Sequence, residues 1–178
     1  WIGFLLSFMP LSMLLVMVTI PLVTRFGPKK LMIVTWVGRN IAASLVFLIP
    51  WALHAHGARA AWIVLLVAVL SFCLVRAAGV GGWFPWLHEV VPEADQTTFF
   101  STETALAQLC IVVVTLGQAA ILGPDPGVVR FMVIYAFGIA AGLMSALWLS
   151  RVPGGKSTFN PEFPQSSFTS YGVAWRDR

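Results

Sequence analysis

Three charged residues sit where the surrounding sequence offers them no water: Arg39, Arg76 and Glu103, each within a run of apolar residues. A charge at membrane depth is costly, and where one is kept it normally faces a bundle interior or a cavity. The chemistry open to such a set is charge recognition: a guanidinium holding an anionic substrate group, or a carboxylate coupled to it. Counted from the same end, Arg39 lies about 12 Å deep, Arg76 about 18 Å deep, and Glu103 only a few residues in, at about 1.5 Å per helical residue. Arg39 and Glu103 can both reach the headgroup region, so each reads as a tie between helices or a snorkelling side chain. Arg76 is deeper and reads as a cavity-lining residue that meets an anionic substrate group or a coupling carboxylate. Glu103 with Arg39 or Arg76 forms the candidate interhelical pair. Thr104 and Gln108, on the same stretch as Glu103, are candidates for neutral contacts, and Ser7 and Ser12 are weaker ones.

Other chemistries lack their parts. His54 and His56 form an H-x-H pair without a nearby Cys, Asp or Glu, and two ligands do not make a metal site; they read as solvated loop residues. Gly155-Lys156-Ser157 looks like the end of a phosphate loop, but the required earlier glycine is Ser150 and no strand precedes it. Neither H-E-x-x-H nor G-x-S-x-G occurs, and no span carries paired acids, so an enzyme is not expected. Cys73 and Cys110 lie far apart in apolar runs and read as packing residues. No metal and no cofactor is expected.

The elements that position these residues follow from composition. The 178 residues are 58% hydrophobic and 10% charged, with mean hydropathy +0.86. Soluble domains carry roughly 45–50% apolar and about 25% charged residues, so the chain departs toward membrane proteins and a lipid bilayer is its expected surrounding. The net charge of +4 comes from scattered cations without a basic face, and nucleic acid is not an expected partner. A helix needs roughly 20 apolar residues to cross the hydrocarbon. Five stretches qualify, at about 1–23, 31–53, 61–88, 99–122 and 129–150, and continuous rather than alternating apolarity makes them helices. The fold class expected is therefore an all-α membrane protein with a helical bundle over 1–151, multi-pass in the inner or plasma membrane.

The corner Thr24-Arg25-Phe26-Gly27-Pro28-Lys29-Lys30 organises that bundle, because two apolar runs joined so briefly must turn at one face. Gly27 and Pro28 supply the turn, and the cations mark the cytoplasmic side. Arg25, Lys29, Lys30, Arg151 and Lys156 then fall inside, and Arg59 and Arg130 outside. A kink is expected at Pro10, an external loop at 54–59, an N-cap at Ser101 or Thr102, and an external turn over Gly123–Gly127. Gly79, Gly81 and Gly82 allow close helix approach, and Gly138, Gly142 and Ala146 form a small-residue seam. Residues 152–178, rich in Pro, Ser, Gly and Phe without periodicity, read as a cytoplasmic connector, partly disordered.

Several of these residues resemble the major facilitator superfamily. Arg25, Gly27 and the basic pair Lys29-Lys30 are similar to the second half of the G-x-x-x-D-R-x-G-[RK]-[RK] loop between that family's second and third helices, with the pair one place later because of Pro28. The family's leading glycine and its acid fall on Ile20 and Thr24 and are missing. Arg76-Ala77-Ala78-Gly79-Val80-Gly81 resembles the arginine-then-glycine motif of the fourth helix, one residue short, and Val91-Pro92-Glu93 the "VPE" that follows it. Ala119, Gly123, Pro124 and Gly127 are superficially similar to the antiporter motif, where a plain turn also explains them. The resemblance implies helices two to six of a twelve-helix secondary transporter, with Arg25, Gly27, Lys29 and Lys30 as its conformational loop. A small solute would be the substrate, with proton or sodium co-transport, and the first helix and second half would belong to other parts of the same protein. The chain opens at Trp1 within an apolar run and is read as a fragment. The competing expectation is a non-transporting membrane scaffold or assembly protein.

Overall fold

The structure, a computed structural model, describes residues 2–14 and 16–156. The expectation of a partly disordered connector falls mostly on residues 157–178, which lie outside the described residues. All regular elements among the described residues are helical: α1 Ile2–Met13, α2 Val16–Phe26, α3 Pro28–Ser44, α4 Ile49–Val90, α5 Gln96–Leu122 and α6 Val128–Arg151, with single 3₁₀ turns at Leu45–Leu48 and Glu93–Asp95. Among the described residues, three helical runs are long and apolar enough to cross a membrane: Pro28–Val90, Glu93–Leu122 and Val128–Arg151.

The first of those runs is a hairpin. Gly57 has φ 79° and ψ −177°, the one non-helical residue within α4, so α4 is two helices, 49–56 and 58–90. Only glycine takes such backbone angles without strain. Residues about equally far from Gly57 then meet: Gly79 faces Thr35, Gly38 faces Val75, and Gly82 faces the backbone of Pro28. This corrects the expected loop at 54–59, because helix continues through His54 and His56 and a single glycine makes the turn. The helix before it also differs from 31–53. It begins at Pro28, whose missing N–H is free of cost in a first turn, and tightens into the 3₁₀ turn at Leu45–Leu48. Pro50 accounts for that tightening, since its ring crowds the carbonyl four residues earlier, at Val46.

The expected span 1–23 is two short helices instead. α1 and α2 hold 12 and 11 residues, about 18 Å and 17 Å long, each short of the roughly 30 Å of a bilayer core. The break falls at Leu14, whose N–H bonds to the Leu11 carbonyl at 3.2 Å, and not at Pro10, which lies within α1. α5 starts at Gln96, earlier than expected, so neither Ser101 nor Thr102 caps it; the Ser101 hydroxyl donates to the Thr98 carbonyl at 3.0 Å. Its other end is as anticipated: Gly123, with φ 66°, closes the helix and opens the turn into α6.

α3 is the centre of the packing, with the second limb of α4 and α6 both antiparallel to it. The core among the described residues is built mostly from small residues: Ala42, Ala52, Ala61, Ala68, Ala77 and Ala146 are buried, with Met32, Trp86 and Leu87 as its larger members. Without a hydrophobic drive between helices in lipid, close backbone approach of this kind is what holds them. Gly142 and Ala146 serve it, since Gly142 packs against the Asn40 side chain, but Gly138 faces nothing within 4 Å and is outside the seam. None of the side chains of α5 is buried.

Candidate functional site

Two stripes at helical spacing face one another across the α3–α4 hairpin. Met32, Thr35, Trp36 and Arg39 on α3 recur every three or four residues, as do Arg76, Gly79, Val80 and Trp83 on α4. Together with Glu103 of α5 they line a cavity of about 240 Å³. Gly79 makes room for it: a Cβ there would lie 2.5 Å from the Thr35 Oγ1. That hydroxyl is held in place by the carbonyls of Leu31 and Met32, each accepting at 2.9 Å.

The charges in the cavity are poorly compensated. The Arg39 guanidinium lies 3.6 Å from the centroid of the Trp36 ring, a cation–π contact that fixes it flat against the wall. Trp36 is itself tethered through Nε1, which donates to the Gly142 carbonyl of α6 at 3.2 Å. Arg76 Nη1 is buried and has no hydrogen-bond partner. The two guanidinium charges act on each other, and no ion pair joins Glu103 to either among the described residues. Arg39 and Arg76, both half-buried, and Glu103, exposed like the rest of its stretch of α5, are therefore brought to one cavity, which Thr104 and Gln108 do not line. Ser7 and Ser12 are also elsewhere, their hydroxyls donating to the carbonyls of Phe4 and Met9 at 2.7 and 2.9 Å. Thr35, Trp36 and Trp83 are the lining residues that charge alone does not reveal; their three-to-four-residue spacing from Arg39 and Arg76 carries the signal.

No protein family, curated protein or solved structure matches the chain.

The basic corner forms a second constellation at one end of the bundle. Gly27, with φ 85°, turns the chain between α2 and α3, and Pro28 opens α3. Lys29 reaches across to the segment after α6, its Nζ donating to the Val152 carbonyl at 2.6 Å. Trp86 Nε1 donates to the Pro153 carbonyl at 3.2 Å, and the Gly155 N–H donates to Glu89 Oε2 at 2.8 Å. Gly155 is packed so closely on Lys29 and Trp86 that no side chain fits there. The corner and the end of α6 thus lie at the same end. Arg25 sits over the Phe26 ring at 5.6 Å, and Lys30 is exposed. At the opposite end His54 and His56 are exposed, with the His56 ring against Trp51. Among the described residues no three His, Cys, Asp or Glu side chains are grouped as a metal would need.

Proposed function

We propose that the chain is part of a secondary transporter that moves a small solute across the inner or plasma membrane by alternating access, on a major-facilitator-type bundle. The observation that carries the reading is the cavity: residues from three largely apolar helices bring two half-buried arginines and a glutamate to one pocket. Inert anchors have no use for charges that cost so much to hold at that depth. The corner at Arg25–Lys30 supports it as well, since it lies with the end of α6 where a cytoplasmic face would put both. In this reading the helices cross the bilayer several times, and other parts of the same protein complete the bundle. The test is uptake into proteoliposomes of labelled small carboxylates, sugars and amines. Arg76→Ala should abolish uptake at equal expression; unchanged uptake removes Arg76 from the mechanism.

A second reading, a non-transporting scaffold or assembly protein, is favoured by α5, which buries no side chain and leaves most of its apolar ones exposed to meet partner helices. A stable partner captured on intact chain that transports nothing would decide for it.

A further inference from the structure

We infer that the cavity between α3, α4 and α5 takes a small apolar monocarboxylate, with its carboxylate on the guanidinium groups of Arg39 and Arg76 and its apolar body against Trp36 and Trp83. The inference deepens the transporter reading and rests on it for the site's purpose. Four properties of the cavity select this class.

The lining carries two cations and one carboxylate, a net charge of +1. Arg39 and Arg76 are half-buried, and a partly desolvated charge gains from a counter-charge, which one negative ligand group supplies. A dianion would overshoot that net charge. Second, the unpartnered Nη1 of Arg76 is a donor already withdrawn from water, so a carboxylate oxygen gains a charge-assisted bond without displacing an internal partner. Third, Arg39 is held against Trp36, so its fork is oriented before a ligand arrives. Fourth, apart from Thr35 and Gly79 the rest of the wall is Met32, Trp36, Val80 and Trp83, which suits a ring or short alkyl body. The size agrees: a cavity of about 150 Å³ holds benzene, and about 240 Å³ leaves room for a carboxylate beside the ring.

The experiment uses the purified chain in neutral detergent, freed of anionic lipid, with calorimetric titration of benzoate, of its neutral isostere benzamide, and of phosphatidylglycerol. Benzoate should bind, and benzamide should bind about tenfold more weakly or worse, as expected when a charged hydrogen bond is lost. Arg76→Gln and Arg39→Gln should each weaken benzoate by a similar factor, and Arg76→Lys by less. Circular dichroism checks folding; if Arg76→Gln does not fold, Arg76→Lys and Arg39→Gln carry the comparison. Equal binding of benzamide, indifference of benzoate to the arginine substitutions, or binding of phosphatidylglycerol alone overturns the inference. The same variants in proteoliposomes separate it from the transporter reading. Benzoate that binds through the arginines but is not carried overturns transport and leaves the site standing. Carriage of neutral solutes that ignores both arginines overturns the site and leaves transport standing.

Discussion

Replacing Gly82 by alanine tests whether close backbone contact holds α4 to α3. A Cβ at Gly82 would lie 2.7 Å from the Pro28 carbonyl oxygen and 3.4 Å from its carbon. Carbon–oxygen contacts settle at about 3.3–3.6 Å even when weakly bonding, so the helices must part by about 0.6 Å or more. The obstacle is backbone in the first turn of α3 and cannot rotate away, unlike the Thr35 side chain that faces Gly79. Overpacking of this kind costs about 1–3 kcal/mol, against a gain of up to about 1 kcal/mol for alanine over glycine within a helix. With the full alanine gain the net expectation is a loss of up to about 2 kcal/mol. Gly117 on α5 is the control, because nothing lies within 4 Å of a Cβ there; Gly117→Ala should gain up to about 1 kcal/mol. Helical content followed during unfolding in mixed micelles measures both. The opposite signs are what matters: if the two variants shift stability in the same direction by similar amounts, the contact at Pro28 does not hold the hairpin closed.

Two further outcomes follow from the same geometry. Gly57→Ala should destabilise by about 1–3 kcal/mol from backbone strain alone, because the position is open but its φ is 79°; a neutral result in the same unfolding assay would mean that the hairpin turns elsewhere. Lys29→Met removes the bond to the Val152 carbonyl, worth about 1 kcal/mol, so the segment after α6 should be released about fivefold more often. Trypsin cleavage at Lys156 reads that population when opening is fast relative to cutting, and an unchanged rate counts against the tether.

What the sequence made legible was whatever a single residue carries by itself. A charge in an apolar run announces its own cost, and so Arg39, Arg76 and Glu103 stood out without a structure. Gly27 with Pro28 announced a turn for the same reason. The pairing of the two stripes was one step away: with the turn at Gly57, simple counting sets Thr35 opposite Gly79, but four residue types between His54 and Arg59 competed to be that turn, and only the backbone angles single out Gly57. Trp36 and Trp83 were masked by a different ambiguity, since a tryptophan in a membrane-length run is expected at the interface, and only its partner three residues along, Arg39, marks Trp36 as a wall of the cavity. The break at Leu14 had no such marker, because an unbroken apolar run gives no residue there that stops a helix.

The contacts least legible were those between residues far apart in sequence. Lys29 and Val152 are 123 positions apart, and neither residue type predicts the other, because a lysine at a helix end is satisfied by any carbonyl or by water. Yet this contact ties the bundle together, since it joins the first turn of α3 to the residue after α6 at one end. The cavity depends on that arrangement. Trp36 can hold Arg39 only while its Nε1 is anchored on α6, and α6 is registered on α3 by Gly142 against Asn40 in the middle and Lys29 against Val152 at the end. Loosening the corner should therefore reach the arginines through α6. A Lys29→Met chain that releases its terminal segment yet binds benzoate as before would show that Gly142 and Asn40 suffice to keep the register.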